Sequence, residues 1–206
     1  MSTTTVQSKP RPSLRWSVAD ITTTAVIAVA SGLVFWGAGL ISEPVGSLLK
    51  VVPGMEGLTY GLFYFAGPLA AIIVRKPGAA LISELIAAMV EAVIGSHWGG
   101  VGTIIPGIVQ GLAAELVFLA CSYRVWNIIV TMISGAFAGI GGTVVAYFLY
   151  YMAMSPFDPF IVVNLIASTV SGAVIAGALT WWLYKAIAAT GALSHLAGGR
   201  DAKTVA

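Results

Sequence analysis

Charged residues are scarce in this chain. Only 9% of its 206 residues are Asp, Glu, Lys or Arg, against roughly 25% in a soluble domain. A water-soluble globule needs more polar surface than that to face solvent, so a soluble fold is excluded. Cysteine is nearly absent: the single Cys121 cannot close an internal disulfide, so no oxidising compartment is implied, and near a helix end it reads as a small packing residue. Histidine occurs only at His97 and His195, which leaves a histidine-based membrane hydrolase little to work with. Neither an H-E-x-x-H motif nor a G-x-x-x-x-G-K-[ST] phosphate loop is present, so the chain does not use ATP by that route. The expectation is a non-enzymatic protein with no cofactor, no metal and no nucleic-acid partner.

What fills the chain instead is apolar sequence. Hydrophobic residues make up 58% of it and the mean hydropathy is +0.95. The apolar runs are long and continuous rather than alternating every second residue, which argues for membrane-spanning helices and against a β-barrel. Six spans are expected, at about 17–42, 57–74, 78–95, 103–122, 126–151 and 160–186, separated by Pro, Gly and polar punctuation such as "EPVG", "RKPG", "HWGGVG" and "SPFDP". The fold class is therefore an all-α integral membrane bundle of six transmembrane helices. Residues 1–16 read as a disordered cytoplasmic tail, 17–188 as the transmembrane domain and 189–206 as a second cytoplasmic tail. The first apolar run is too long for the core of a cleavable signal peptide.

Basic residues orient the bundle. Lys9, Arg11, Arg15, Arg75, Lys76, Arg124, Lys185, Arg200 and Lys203 all fall on one side of a six-span chain, and Lys50 alone lies opposite. The excess of Lys and Arg belongs in the cytoplasm, so both termini are expected there. Small residues recur at helical spacing at Ala28 and Gly32, Gly107 and Gly111, Gly135 and Gly139, and Ser168, Gly172 and Ala176. Such stripes let helices approach closely in lipid. They serve packing within the chain or, on the first span, docking of a partner membrane protein. No 3+3 internal repeat is visible.

Three glutamates lie at membrane depth. A carboxylate at the bilayer centre costs at least about 2.5 kcal/mol, so each needs a reason. Glu91 falls about 6 Å and Glu84 about 17 Å below the outer end of the third span, while Gln110 falls about 10 Å and Glu115 about 18 Å below that of the fourth. Glu91 and Gln110 could share an outer layer, and Glu84 and Glu115 a deeper one. Two readings stand open: carboxyl groups that glue helices by hydrogen bonds to Ser, Thr and Gln, or a pocket open to the outside that receives a cationic or amine-bearing ligand. Trp36, Tyr60, Tyr64, Trp98, Tyr147, Tyr150 and Tyr151 all belong to the outer half. Aromatics gather at membrane interfaces in any case, but beside Glu91 they would suit a flat cation. Asn164, one turn below the outer end of the last span, and Asp158 in the outer loop are further hydrogen-bonding candidates, and His97 reads as a loop residue.

The stretches "RKPGAALISELIAAMVEAVIG" at 75–95 and "GIVQGLAAELVFL" at 107–119 resemble the substrate-binding S component of energy-coupling-factor (ECF) vitamin transporters, specifically the YkoE type linked to thiamine or its hydroxymethylpyrimidine precursor. The resemblance implies capture of a vitamin from the outside, with a transmembrane coupling subunit and two cytoplasmic ATPases as partners. It also implies a lid role for the 43–57 loop and a docking face at Ala28 and Gly32. Glu84, Glu91, Gln110 and Glu115 belong to those two stretches. With Trp98, Tyr60, Tyr64, Trp36, Tyr151 and Asn164 they form the candidate substrate site, Glu91 as the pyrimidine or cation partner and Glu84 at the floor. The rival readings are a stand-alone proton-coupled transporter, with Glu84 and Glu115 as a proton relay, and a non-transporting scaffold.

Overall fold

The first helix starts where Ser17 and Asp20 supply its cap. In the computed structural model, which describes residues 14–96 and 99–202, α1 spans Val18–Leu49. His97, Trp98, residues 1–13 of the first expected tail, with Lys9 and Arg11, and residues 203–206 of the second, with Lys203, lie outside the described residues. Ser17 Oγ accepts from the Asp20 amide at 3.2 Å, and an Asp20 carboxylate oxygen accepts from the Ser17 amide at 2.8 Å, which satisfies two amides at the helix start. Asp20 also lies 3.7 Å from Lys76 Nζ, and Trp16 Nε1 donates to the Pro77 carbonyl at 3.1 Å. The beginning of α1 is thus fastened to the turn between the second and third spans.

Buried residues on α1 recur every three or four positions, from Asp20 and Thr24 through Ala28, Ser31, Gly32, Phe35, Ala38 and Gly39. That single face meets α3, Ala79–Gly95. A Cβ on Gly32 would come within 2.6 Å of Val90 Cβ and 2.7 Å of the Ala87 carbonyl oxygen, and Ala28 is completely buried. At Gly32 the stripe expected to dock a partner is occupied by the chain's own third span, because the missing side-chain volume is what lets α3 approach.

Helix α1 also runs on to Leu49 rather than ending near residue 42, with Pro44 inside it. A proline removes only its own amide and displaces one carbonyl, and Pro44 is exposed, so neighbouring polar groups or solvent can satisfy what it frees. The segment 43–57 is therefore not a loop. It is helix to Leu49, a turn over 50–54, and the start of a 3₁₀ helix, Met55–Phe63.

That 3₁₀ helix and α2, Ala66–Val74, together make the second span, interrupted at Tyr64 and Phe65. The tighter coil is seated on the last span through glycines: a Cβ on Gly57 would lie 2.9 Å from the Asn164 carbonyl oxygen, and one on Gly61 2.5 Å from Ser171 Oγ. Ser171 Oγ accepts from the Gly61 amide at 3.0 Å and donates to the Leu58 carbonyl at 2.5 Å. All nine residues of α2 are buried, so this short helix is the axis around which the other rods pack.

Those rods are α3, α4 (Gly100–Ala120), α5 (Ile128–Ala146) continued by a π-helical turn over Tyr147–Tyr151, and α6 (Pro159–Ser171) continued by a π-helical stretch, Gly172–Leu179, and α7 (Thr180–Ala189). Asn127 and Asp158 cap α5 and α6 by accepting from Val130 and Phe160 amides, each at 2.9 Å. The remaining small stripes are spent internally. Gly107 and Gly111 face Ala88 and Glu84 on α3, while Gly135 and Gly139 lie against the backbone of Gly172 and Ser168. No strand occurs among the described residues. Five of the rods are long and apolar enough to cross a membrane; α3, with 17 residues, is the short one. Their outer faces carry exposed Val26, Leu33, Leu116, Phe148 and Trp182, a surface suited to lipid and not to water. The protein is a multi-pass membrane protein.

Beyond α7 the chain folds back beneath α2. Leu193 and Leu196 are buried, α8 covers Ala197–Ala202, and Tyr184 Oη donates to the Gly198 carbonyl at 2.7 Å. Gly198 itself sits against the Ile72 and Ile73 carbonyls. These contacts, with the Trp16–Pro77 and Asp20–Lys76 pairs and the Arg75 guanidinium 5.3 Å from the Trp126 ring centre, gather Arg15, Arg75, Lys76, Arg124, Lys185 and Arg200 at one end of the bundle. Lys50 lies at the other.

Candidate functional site

A cavity lies toward the end of the bundle opposite the basic residues. It is walled by the upper half of α3, the start of α4, the end of α5 and the first turns of α6. Phe35, Tyr60, Phe63, Tyr64, Tyr150 and Tyr151 supply aromatic faces; Thr103, Gln110 and Asn164 supply neutral polar groups. Glu91 is the single charged side chain among the described lining residues. Small residues, Ala88, Gly102, Gly142 and Ala146, leave the space.

Glu91, Thr103, Tyr64 and Asn164 are held by their neighbours. Glu91 is 4% exposed and accepts from Ser96 Oγ at 3.2 Å, while Ser96 Oγ accepts from Thr103 Oγ1 at 2.6 Å. This relay ties the end of α3 to the start of α4 and orients the carboxylate. Ser168 Oγ donates to the Gly139 carbonyl at 3.0 Å, so at the 3.0 Å contact between Tyr64 Oη and Ser168 Oγ the tyrosine is the donor. Gly142 makes that placement possible, since a Cβ there would lie 2.6 Å from Tyr64 Oη. Asn164 donates to the Gly54 carbonyl at 3.4 Å and is hydrogen-bonded with Tyr60. Tyr151 packs edge-on to Phe160, ring centres 5.1 Å apart.

Of the residues expected at the site, the structure brings together Glu91, Gln110, Tyr60, Tyr64, Tyr151 and Asn164. Glu84, Glu115 and Trp36 do not line the cavity, and Trp98 lies outside the described residues. Trp36 is 39% exposed because it falls on the outer face of α1, next to but off the buried stripe through Phe35. Glu84 and Glu115 both cap helices from a neighbouring rod. Glu84 accepts from the Gly67 amide at the start of α2 at 2.6 Å. Glu115 accepts from the Gly78 and Ala80 amides at the start of α3, at 2.7 and 2.8 Å, and from Tyr123 Oη at 2.6 Å. They form no common layer: Glu115 binds about one turn below Glu84 along α3. Their partners are mainly backbone amides, not the Ser, Thr and Gln side chains expected for interhelical glue. Burial, then the hydrogen bond to and charge of Glu115, push the Tyr123 phenol above its ordinary range, so it stays protonated and keeps donating.

The chain matches the family described as "ABC-type cobalt transport system, permease component" over residues 19–141. It is 35% identical over 196 residues to a Bacillus subtilis (strain 168) protein named as an HMP/thiamine permease protein, YkoE, covering 91% of this chain and 92% of the relative. It superposes on the crystal structure of an S component of an ECF transporter with a TM-score of 0.84 and 32% identity, covering 92% of this chain and 94% of that one. The chain belongs to the YkoE-type S components of ECF transporters. As an S component it is a subunit of a transport system and not an enzyme.

Several wall residues of this S component had no strong signal in its sequence. Phe35, Phe63 and Tyr150 are ordinary aromatics in apolar runs, and Thr103 and Pro106 look like parts of a helix start. Gly142 and Ala146, four apart on α5, are a small-residue pair of the kind that elsewhere marks helix packing. Here the pair faces open space and Tyr64 instead.

Proposed function

We propose that this S component captures thiamine or its hydroxymethylpyrimidine precursor from the outside of the cell. It then hands the ligand to a transmembrane coupling subunit powered by two cytoplasmic ATPases, which supply the ATP chemistry for which the chain has no phosphate loop. The observation that carries the reading is one buried carboxylate, Glu91, set in an aromatic cavity with no cation among the described lining residues. Thiamine suits that chemistry. Its exocyclic amine can donate to Glu91, its ring nitrogens can meet the Gln110 and Asn164 amides, and its permanently cationic thiazolium can lie against Tyr60, Tyr64, Phe63 or Tyr151 faces. The name of the Bacillus subtilis relative points the same way.

The bundle is read as six spans with both termini in the cytoplasm. The basic end then faces inward, as the positive-inside rule requires, and the cavity faces outward. At 17 residues α3 is about 25 Å long, a short span whose start, at Ala79 and Ala80, is buried in protein. The matched family description names cobalt; the organic-cation reading rests on Glu91 and the aromatic faces beside it. The proton-relay rival is weakened because Glu84 and Glu115 are already engaged in capping helix starts.

Calorimetric titration of the purified, detergent-solubilised protein with thiamine and with hydroxymethylpyrimidine tests the reading. Wild-type protein is expected to bind thiamine at submicromolar concentration. Glu91→Gln is expected to weaken binding by about tenfold or more, or about 1.4 kcal/mol. If Glu91 meets the aminopyrimidine, both ligands lose affinity alike; if it meets the thiazolium, thiamine alone does. No binding heat from folded wild-type protein would overturn the assignment.

A further inference from the structure

We infer that Glu84, which does not line the cavity, is a positioning residue that sets the cavity wall from behind. The second span changes from 3₁₀ to α-helix at Tyr64 and Phe65, in the middle of the bundle. A helix start there leaves amides without intrahelical partners, and low-dielectric surroundings make each one costly. Locally that cost is reduced only at Pro68, which has no amide; Phe65, at the cap position, offers no side-chain acceptor. Glu84 reaches across from α3 and takes the Gly67 amide at 2.6 Å.

Among the described residues its other oxygen, Oε1, has no hydrogen-bond partner, so the bond to Gly67 is its one polar hold. Gly67 is also the residue where a side chain would intrude: a Cβ there would stand 3.2 Å from Glu84 Oε2 and from the Ala80 carbonyl oxygen. Immediately upstream of the clamped junction stand Tyr60, Phe63 and Tyr64, three of the six aromatic wall residues. Phe35 braces the same junction from α1, its ring centre 6.0 Å from that of Phe63 and 5.4 Å from that of Phe65. Releasing Gly67 lets the junction shift and carries those aromatic faces with it. The ligand arm of the test rests on the proposed thiamine reading; the exchange arm does not.

The side-chain length of Glu84 and its carboxyl group are separable. Glu84→Gln keeps an acceptor at the same reach; Glu84→Asp keeps the carboxyl group but falls one methylene short of Gly67; Glu84→Leu removes both. The full chain, purified in detergent, is titrated with thiamine, and hydrogen–deuterium exchange is followed in peptides covering residues 58–70. Expected is Glu84→Gln within about threefold of wild type, with Glu84→Asp and Glu84→Leu weakened about tenfold or more, and faster exchange confined to 58–70 in the latter two. A ligand-contacting charge would reverse the order, with Glu84→Asp binding better than Glu84→Gln, and would overturn the inference. Unchanged exchange at 58–70 in Glu84→Asp would also overturn it, and that result stands even if Glu84→Leu fails to fold. If the wild type binds no thiamine, the functional reading falls, and the exchange difference alone decides the role of Glu84.

Discussion

Gly142→Ala tests whether the cavity wall is set by close packing behind Tyr64. The added Cβ would lie 2.6 Å from Tyr64 Oη, 3.0 Å from its Cζ and 3.1 Å from its Cε1, where carbon and oxygen normally keep about 3.4 Å or more. The tyrosine has little room to yield. It is 2% exposed, and its hydroxyl is fixed by the 3.0 Å bond to Ser168, which is itself fixed to Gly139. Overpacking of this kind costs about 1–3 kcal/mol, and loss of the Tyr64–Ser168 bond adds about 1 kcal/mol. In a chain of this size each kcal/mol moves Tm by about 2–4 °C. Thermal unfolding in detergent should show a drop of that scale, and thiamine affinity should fall with it because Tyr64 lines the cavity. Tyr64→Phe removes the nearest clashing atom. In a double-mutant cycle, the combined Gly142→Ala, Tyr64→Phe protein should therefore be more stable than the sum of the single effects predicts. Additive effects, or a Gly142→Ala protein as stable as wild type, would refute the packing argument.

Two further substitutions probe the frame. Gly32→Ala forces a Cβ to 2.6 Å from Val90 Cβ and should cost about 1–3 kcal/mol, while Gly37→Ala on the same helix meets nothing within 4 Å and should be neutral or up to about 1 kcal/mol stabilising; equal Tm values for the two would argue that α1 does not pack on α3 by this face. Tyr123→Phe removes one of three donors to Glu115 and should lower stability by about 1.5–3 kcal/mol. Because the folded phenol is held above its ordinary value of 10.0, its contribution is complete below that value and is lost as pH rises beyond it. A Tm profile to alkaline pH should thus fall less steeply for Tyr123→Phe than for wild type, and identical slopes would show that Tyr123 ionisation is not linked to unfolding.

Much of the architecture was legible because lipid imposes it. Runs of apolar residues long enough to span, broken by Pro and Gly, have few alternatives to helices in a bilayer, and the rods fall close to the expected segments. The punctuation misled where a proline was tolerated, at Pro44 in α1, because helix termination depends on whether the freed carbonyl finds a partner and not on the proline alone. The 3₁₀ start of the second span was not legible, since it depends on Gly57 and Gly61 being pressed against Asn164 and Ser171 more than a hundred residues away. The glutamates divide similarly. Depth along a helix placed Glu91 and Gln110 together in the cavity wall, but depth carries no azimuth, and Glu84 and Glu115 turn toward helix starts contributed by other segments.

By itself, then, the sequence determined that this is a helical membrane protein, where its rods run, which end gathers the basic residues and that carboxylates sit at membrane depth. These are consequences of composition and spacing in a medium that leaves the backbone no other way to satisfy its hydrogen bonds. Only the tertiary structure decided which glutamate faces the cavity, that Gly32 is taken up by α3, and that Gly142 makes room for Tyr64. Each of those depends on the rotation of one rod against another, which is set by the fit of side chains across the interface and is not encoded in any single run.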